Sequence, residues 1–340
     1  RSSDLLLDGL AAGHDRHVEP LCGPHLDGTG HVIHGELPDA EVVFLALPHG
    51  TTAALVPDLV AAENFYTTIW HLDVAARTEH AIYLRGTGAD HHLLALHEAP
   101  GPAQIRHVTL RARDASALDA VAQAAVKAGG QVLQAKAPVT EPGGGVAVTV
   151  ADRDGRIFQV VHGDVMHADA HEAKDKPLRL AHAVLNSHHV EDTRDFMEAV
   201  FDFSLSDRTR IMAFMRCNND HHSIALGDTD NDALNHIAFL MPDLDSVMRG
   251  AGRMKDAGFA TEWGPGRHGP GDNAFNYFVG PFDVVIEYTA EVEQIDDSYQ
   301  AGQPSDWTWP PGRVDQWGIS APPSARLKEA QKAVVFVSSL

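Results

Sequence analysis

The chain has 340 residues, which is more than one hydrophobic core usually needs, so two domains are expected. Its formal net charge of −21 disfavours nucleic acids and anionic membrane surfaces as partners. With two cysteines, no signal-peptide pattern and no apolar run of transmembrane length, we expect a protein of the reducing cytoplasm that does not enter membranes.

The chain is repetitive from about residue 49 onward, and repeats of this size define an architecture. Phe65 opens the stretch FYTTIWHLDVAARTEHAIYLRGTGADHHLLAL, and Phe196 opens FMEAVFDFSLSDRTRIMAFMRCNNDHHSIAL. Both patterns predict a helix, a turn, a strand over 81–84 or 212–215, a polar turn with a His-His pair, and an apolar strand. The second His of each pair, His92 or His222, follows the opening Phe by 27 or 26 residues.

A second repeat alternates with the first. The strands IRHVTL at 105–110 and LNHIAF at 234–239 are each followed by an amphipathic helix, predicted over 115–127 and 244–257. Gly129 and Gly258 stand where helix C-caps belong. A strand that ends in FQV at 158–160 then corresponds to one that ends in IEY at 286–288.

Together the repeats predict an α+β fold of four βαβββ units, which start near residues 49, 103, 178 and 233. A unit of this size cannot bury its own sheet face, so we expect the units to pair into two domains. The predicted boundaries are an N-terminal extension of unassigned role over 1–45, a first domain over 46–161, a polar linker over 162–176, a second domain over 177–295 and a tail over 296–340.

Three polar residues stand on predicted strands of the second domain. They are His182 in LRLAHAVL, His236 in LNHIAFLM and Glu287, which follows the apolar run VVI and is predicted at that strand's end. A buried carboxylate costs several kcal/mol unless it is paired or binds a metal. Two neutral imidazoles and one carboxylate suit Fe(II) and leave coordination positions open for substrate and oxygen.

The first domain provides an internal comparison for these three positions. Aligning the units places Thr51 opposite His182, His107 opposite His236, and Gln159 opposite Glu287. Residues with a purely structural role should look alike in both copies, so this difference favours a metal site in the second domain alone. A lone strand His is more often a hydrogen-bonded core residue, and a strand-end Glu is more often solvated or salt-bridged. Spacing by itself therefore leaves the metal site and the structural roles open.

Residues 50–320 resemble a type I extradiol catechol dioxygenase of the vicinal oxygen chelate superfamily. The matching pieces are VPDL with FY at 56–66, the strand that bears His182, RCNNDHHSIAL, LNHIAF, GRHGPGDNAFNYF and VVIEYTAE. The spacings of 14 residues from His222 to His236, nine from His268 to Tyr277, and ten from Tyr277 to Glu287 fit the family. The sequence departs from the family pattern at Asn276 and in the turn GPFD at 280–283.

The resemblance implies that His182, His236 and Glu287 hold Fe(II), with Mn(II) as the alternative. A catechol and O2 would then be the small-molecule reactants, and the ring would open next to the diol to give a muconic-semialdehyde-type product. His222 matches the family's acid–base residue, and its alternative is a polar turn, because His91-His92 repeats it in the first domain. The neighbouring His221 is expected to be structural.

The resemblance also assigns two further roles around the metal. Tyr277 would hydrogen-bond the bound catecholate oxygen, and its alternative is a core Tyr with a satisfied hydroxyl. His268 would position the substrate, and its alternative is a turn His that caps backbone groups.

The substrate prediction depends on one replaced residue. In the homoprotocatechuate branch of the family, an Arg stands five residues before the equivalent of His268, and here that position is Trp263. A Trp packs against apolar groups and cannot pair with a carboxylate, so we expect a neutral, apolar-substituted catechol such as 2,3-dihydroxybiphenyl. Arg267 is a further pocket candidate, or it holds the turn. The Trp-rich tail is either a lid over the pocket or plain surface packing, and the family implies a homo-oligomer.

Three other functions remain open at this point. Relatives in the same superfamily sequester ligands without catalysis, although the filled positions His222, His268 and Tyr277 argue against that role here. A glyoxalase-like isomerase uses the same fold but usually draws its ligands from two paired units, with more Glu and Gln. A 4-hydroxyphenylpyruvate dioxygenase-type enzyme shares the two-His, one-Glu triad but lacks the pattern of His222 and Tyr277.

Overall fold

Four βαβββ units build two mixed sheets in the computed structural model, which describes residues 47–338. The first unit comprises β1 (Leu47–Val56), α1 (Leu59–Thr68), β2 (Asp73–Arg77), β3 (Ala81–Arg85) and β4 (Leu94–Glu98). The second comprises β5 (Gln104–Arg111), α2 (Ala117–Lys127), β6 (Gln131–Pro138), β7 (Val146–Ala151) and β8 (Ile157–His162). The third comprises β9 (Arg179–Ser187), α3 (Val190–Phe201), β10 (Ser204–Arg208), β11 (Met212–Arg216) and β12 (Ile224–Asp228). The fourth comprises β13 (Ala233–Leu240), α4 (Leu244–Asp256), β14 (Trp263–Arg267), β15 (Ala274–Val279) and β16 (Val285–Ala290).

The unit starts at residues 47, 104, 179 and 233 confirm the α+β fold of four repeated units. The predicted N-terminal extension over 1–45 lies outside the described residues. The tail contains a short helix α5 (Ala325–Ala330). A strand β17 (Val334–Val335), which the sequence analysis did not anticipate, pairs with the start of β13. Among the helices of residues 47–338, none has the length and hydropathy of a membrane-spanning segment.

The two sheets share one topology. The first sheet has the order β2-β3-β4-β1-β5-β8-β7-β6, and the second has β10-β11-β12-β9-β13-β16-β15-β14. In each sheet the first strands of the paired units lie side by side and antiparallel at the centre, β1 with β5 and β9 with β13. Side chains on β9, β13 and β16 therefore meet in the middle of the second sheet.

Capping groups fix where the helices begin and end. Asp58 Oδ1 accepts a hydrogen bond from Ala61 N at 2.9 Å before α1, and Asp243 Oδ1 accepts one from Ser246 N at 2.7 Å before α4. Gly129 and Gly258 follow α2 and α4 with φ of 84° and 88°, as the C-cap prediction required. The two predicted amphipathic helices are thereby confirmed to within two residues at each end.

An apolar core made of residues from both domains joins the sheets through their helices. The fully buried Trp70 of the first domain stacks on Tyr288 of the second, with ring centroids 3.6 Å apart and planes 6° from parallel. The Tyr288 hydroxyl donates a hydrogen bond to the Trp70 carbonyl at 2.9 Å. Since Tyr288 directly follows Glu287, this interdomain contact also supports the strand that carries the candidate ligand.

We expect Trp70→Ala to lower the free energy of unfolding by about 3–5 kcal/mol, because it leaves a cavity among packed aromatic rings. Denaturant unfolding of the full chain measures this change. The control is Val60→Ala on α1, where the side chain is 80% exposed, so a change below about 0.5 kcal/mol is expected. Equal small effects for both variants would contradict the assignment of Trp70 to the core.

Candidate metal centre

The register of the second sheet aligns the candidate ligands on one face. Ala238 on β13 pairs with His182 on β9 and with Glu287 on β16, and His236 lies two residues before Ala238. Paired residues, and residues two apart on one strand, face the same side of a sheet. The sheet therefore turns His182, His236 and Glu287 to a common side.

The opposite face of the same strand belongs to the core. Ile286 and Tyr288 flank Glu287 and lie in the apolar core, with the Tyr288 ring against Gly250 on α4. Glu287 lies within β16 and not at its end, because the strand continues through the equally buried residues 288–290. The expectation that the apolar run VVI ends the strand at Glu287 is corrected in this respect.

The three side chains converge closely. His182 Nε2 lies 3.3 Å from Glu287 Oε2, and His236 Nε2 lies 3.2 Å from the same oxygen. One ligand atom from each residue falls within 4.8 Å of the others, and all three residues are buried. This grouping has the composition and spacing of a site that can hold one divalent metal ion.

Electrostatics favours the charge states that a metal requires. Burial alone would raise the pKa of Glu287, but the hydrogen bonds and charges of His182 and His236 outweigh it and hold that pKa well below its usual range. Burial lowers the pKa of His236, and the neighbouring Glu287 opposes this shift. A carboxylate and a neutral imidazole are the forms that coordinate metals.

The hydrogen bonds around the triad also fit a bound cation. Asn235 Oδ1 lies 2.8 Å from His236 Nδ1, which donates to it. A neutral His236 therefore has its lone pair on Nε2, 3.2 Å from Glu287 Oε2, where a bound cation would take the place of the shared proton. Asn235 is itself oriented because its amide donates to Asn186 Oδ1 at 2.8 Å. Glu287 Oε1 is buried and accepts no hydrogen bond from the described residues. A buried acceptor without a donor beside an oriented lone pair suits a divalent metal.

Three further predicted residues surround the triad. His222 lies just before β12, and its ring centroid is 4.3 Å from that of His182. Tyr277 on β15 pairs in register with Glu287, and its hydroxyl oxygen lies 3.0 Å from His268 Nε2 and 3.4 Å from His236 Nε2. The six residues proposed from the sequence as ligands or catalytic groups are thus brought to one place.

Burial keeps these additional groups uncharged. It lowers the pKa of His268 to about 4 and sets the pKa of His222 well below its usual value, with the neighbouring histidines adding to the effect at His222. Burial and the charge of Glu287 raise the pKa of Tyr277 well above its usual value. At neutral pH the site therefore offers two neutral imidazoles and a phenol that can donate a hydrogen bond.

A cavity of about 360 Å³ opens beside these groups, which is within the size range of small-molecule sites. Its wall is largely apolar or aromatic, and no Lys or Arg side chain lines it among the described residues. The lining comprises His182, Val184, Ile211, Met212, Phe214, His222, Gly227, Asp228, Thr229, Asn235, His236, Trp263, His268, Pro270, Tyr277, Pro323 and Gln331.

The two pocket candidates differ in their placement. Trp263 lines the cavity, stacks on Tyr277 at 5.0 Å between ring centroids, and has a buried indole N–H without a partner among the described residues. Arg267 is not among the lining residues. Its guanidinium pairs with Glu291 and lies 5.0 Å from the ring of Trp317. These are the contacts of a residue that holds the turn.

The tail reaches the cavity, but not through its tryptophans. Pro323 and Gln331 belong to the lining, whereas Trp307, Trp309 and Trp317 do not. The Gln331 carbonyl accepts a hydrogen bond from Asn186 Nδ2 at 2.9 Å, which ties the tail to the amides behind His236. Part of the segment after residue 296 therefore forms a fixed wall of the cavity.

Equivalent positions in the first domain have different chemistry. There Thr109 pairs with both Thr51 and Gln159, just as Ala238 pairs with His182 and Glu287. The strand register therefore places Thr51 opposite His182 and Gln159 opposite Glu287, as the alignment of the repeats predicted. The corresponding cavity is only about 40 Å³. Arg111 fills this region with ion pairs to two acids, at 3.0 Å to Asp90 Oδ1 and 2.8 Å to Asp164 Oδ1.

We expect Gln159→Ala to leave metal loading of the full chain unchanged, because only His107 among the three equivalent first-domain positions keeps the residue type of the ligand. Metal content after reconstitution and desalting measures this, and the wild-type chain should hold about one ion. A halved content in the variant would contradict the assignment of the metal to the second domain alone.

Sequence reasoning missed several residues of the site. Asn235 directly precedes His236 in LNHIAFLM, and the sequence analysis did not select it. Its counterpart in the first repeat is Arg106, and this difference between the two copies could have marked Asn235 as a site residue. Ile211, Pro323 and Gln331 carry no local motif. They reach the cavity only through the tertiary arrangement.

Comparison with known proteins places this geometry in context. The family model described as "Glyoxalase/Bleomycin resistance protein/Dioxygenase superfamily" matches residues 49–160 and 179–288. Metapyrocatechase 2 of Cupriavidus necator is 34% identical over 155 residues, which is 43% of this chain and 46% of that protein. The match therefore spans about half the length of that relative.

Two solved structures are similar over most of the chain. A Mn(II)-bound glyoxalase from Novosphingobium aromaticivorans is 33% identical, with a TM-score of 0.77, and the match covers 83% of this chain and 93% of that one. Homoprotocatechuate 2,3-dioxygenase of Brevibacterium fuscum, in complex with 3,4-dihydroxyphenylacetate, is 21% identical, with a TM-score of 0.75 and coverage of 88% and 97%. At that identity the second structure shows the shared fold alone.

Proposed function

This chain belongs to the Glyoxalase/Bleomycin resistance protein/Dioxygenase superfamily, and on that premise we propose that it is an extradiol ring-cleavage dioxygenase. Its reaction is the O2-dependent opening of a substituted catechol next to the diol, to give a muconic-semialdehyde-type product in aromatic degradation. The observation that carries the proposal is the convergence of His182, His236 and Glu287 beside a cavity whose wall includes both of these histidines together with His222 and Tyr277.

His182, His236 and Glu287 would hold Fe(II), and Mn(II) is the alternative because the Novosphingobium relative is described as Mn(II)-bound. The bound metal would lower the pKa of a coordinated hydroxyl and hold both reactants together. Asn235 contributes by fixing the His236 tautomer, so that Nε2 remains available as a ligand atom.

The residues around the ligands would manage protons and charge. His222 is neutral at pH 7, because burial sets its pKa well below its usual value, and a neutral imidazole can accept a catechol proton. Tyr277 keeps its proton, because its pKa is raised, and it can donate a hydrogen bond to a catecholate oxygen. His268 lies 3.0 Å from the Tyr277 hydroxyl oxygen and would orient it.

The cavity wall favours a neutral catechol. The described lining has no cation to pair with a substrate carboxylate, and Asp228 adds a carboxylate of its own. Trp263, Phe214 and Ile211 provide apolar surface that suits an alkyl or aryl substituent.

We expect Trp263→Ala to raise KM for 2,3-dihydroxybiphenyl about tenfold, while KM for unsubstituted catechol stays within about threefold, since an aromatic contact contributes about 0.5–1.5 kcal/mol. Steady-state O2 uptake with both substrates measures the difference. Trp309→Ala is the control, because Trp309 is 41% exposed and lies outside the lining. Equal losses with both substrates would show that Trp263 does not contact the substituent.

A substrate panel tests the proposed reaction. The Fe(II)-loaded chain is mixed in air with catechol, 3-methylcatechol, 2,3-dihydroxybiphenyl and homoprotocatechuate, without a 2-oxo acid, and both O2 uptake and yellow product are followed. Yellow product from the neutral catechols is the expected result. Preference for homoprotocatechuate would keep the reaction and overturn the substrate class, and no product from any catechol would overturn the reaction.

One observation favours a second candidate, a metal-dependent glyoxalase, because the Novosphingobium relative carries that description. In this chain all three candidate ligands lie on neighbouring strands of one sheet in the second domain. The metal-loaded chain should therefore leave the hemithioacetal of methylglyoxal and glutathione unchanged. Its isomerisation, with no turnover of catechols, would favour the glyoxalase.

A further inference from the structure

A buried hydrogen-bonded chain lies behind His222 and extends away from the cavity. His222 Nδ1 is 3.1 Å from His221 Nδ1, and His221 Nε2 is 2.7 Å from Asp207 Oδ2. Both His221 and Asp207 are fully buried. From these contacts we infer that Asp207 and His221 fix the tautomer of His222 so that its Nε2 carries a lone pair. The functional meaning of this inference rests on the proposed role of His222.

Asp207 is surrounded by hydrogen-bond donors. Its Oδ1 accepts from the backbone N–H of Gly302 at 2.6 Å, and its Oδ2 accepts from the Tyr299 hydroxyl at 3.1 Å as well as from His221. An ionised carboxylate accepts hydrogen bonds and donates none, so this environment suits the charged form. His221 must then present Nε2–H to Asp207.

The tautomer follows along the chain. A neutral imidazole has one N–H and one lone pair, so His221 Nδ1 becomes an acceptor. The only neighbour within hydrogen-bonding distance of that atom among the described side chains is His222 Nδ1, which must donate its hydrogen. His222 Nε2 is then left as the unprotonated nitrogen of a side chain that lines the cavity.

The first domain contains the same pair without the acid. His91 and His92 have their Nδ1 atoms 3.0 Å apart, which repeats the contact of His221 and His222. In strand register, Asp207 pairs with Phe214 just as Ala76 pairs with Tyr83, and both strands have a bulge at this point. The carboxylate is therefore present only in the copy that holds the candidate metal centre, which a purely structural His-His turn does not explain.

The segment after β16 completes this arrangement. It supplies the Tyr299 hydroxyl and the Gly302 N–H to Asp207, and the Glu293 carbonyl accepts from the backbone N–H of His221 at 2.9 Å. His221, expected from the sequence to be merely structural, thus acts as a positioning residue, and Asp207 acts through it.

The direct test is the protonation pattern of His222 in the full-length chain. The chain is labelled with 15N-histidine and loaded with diamagnetic Zn(II), and long-range 1H–15N spectra are assigned by comparison with His222→Gln. The expected result is a His222 ring protonated at Nδ1 and unprotonated at Nε2. Protonation at Nε2 instead would overturn the inference, and this readout does not depend on turnover.

Asp207→Asn provides the matched perturbation. Its amide can donate to His221 Nε2, which reverses both tautomers, as amide replacement does in other Asp–His pairs. We expect His222 to become protonated at Nε2 and kcat of the Fe(II)-loaded chain to fall about 100-fold, with KM within about threefold. The control His91→Gln, in the copy that lacks the acid, should keep wild-type kcat.

The outcomes separate this inference from the proposed reaction. An unchanged His222 tautomer in Asp207→Asn would overturn the inference, whatever the rate. A reversed tautomer with wild-type kcat would uphold the link from Asp207 to His222 and instead remove His222 from the reaction. If the wild-type chain cleaves no catechol, the proposed function fails, and the tautomer measurement still decides the inference.

Discussion

Replacing Glu287 by Gln is expected to abolish metal binding and with it all catechol cleavage. The substitution keeps the shape of a fully buried side chain but removes the negative charge that lies 3.3 Å from His182 Nε2 and 3.2 Å from His236 Nε2. Loss of an outer partner of a metal ligand already weakens binding by about 10- to 100-fold, so loss of the charged ligand should exceed that range. Iron content after anaerobic loading and desalting should fall from about one per chain to near zero.

The control is Gln159→Ala at the matching position of the first sheet, which should keep full iron content. A Glu287→Gln chain that holds iron at the wild-type level and consumes O2 with catechol would contradict the assignment of Glu287 as a ligand.

Replacing His222 by Ala is expected to leave metal content intact and to lower kcat by about 10²- to 10⁴-fold, the usual contribution of a general acid–base residue. His222 lies beside the triad, but it is not part of the group of side chains whose ligand atoms lie within 4.8 Å of one another. Iron content and steady-state O2 uptake with catechol, measured on the same preparation, separate binding from turnover.

The first domain again offers a matched control. His92→Ala removes the equivalent imidazole from the copy with the small cavity and should leave kcat unchanged. Wild-type turnover by His222→Ala would remove His222 from the mechanism. Loss of iron from this variant would show that it supports the metal instead.

Much of the fold was predictable because the chain repeats itself. The spacing of the His-His pairs and of the strands IRHVTL and LNHIAF located four units, and the structure starts them within two residues of the expected positions. The same repeats located His182, His236 and Glu287, since strand register carries equivalent positions to equivalent places.

Other features depend on contacts that local patterns do not encode. Glu287 was expected at a strand end because the apolar run VVI stops there, yet its burial inside β16 comes from the neighbouring strands and from α4. Asp207 meets Tyr299 across 92 residues of sequence, and Gln331 reaches the cavity from the tail. Such contacts arise because the segment after β16 packs against the second sheet. No periodicity in the sequence of that segment predicts this packing.

The assignment of the second-domain triad to extradiol ring cleavage is tested most directly by an anaerobic titration of the full-length chain with Fe(II), with the initial rate of O2 uptake on catechol measured after each addition. The rate should rise with iron and saturate at about one equivalent per chain, as expected for a single site. One tightly bound iron per chain without O2 uptake or yellow product would contradict the assignment of the second-domain triad to extradiol ring cleavage.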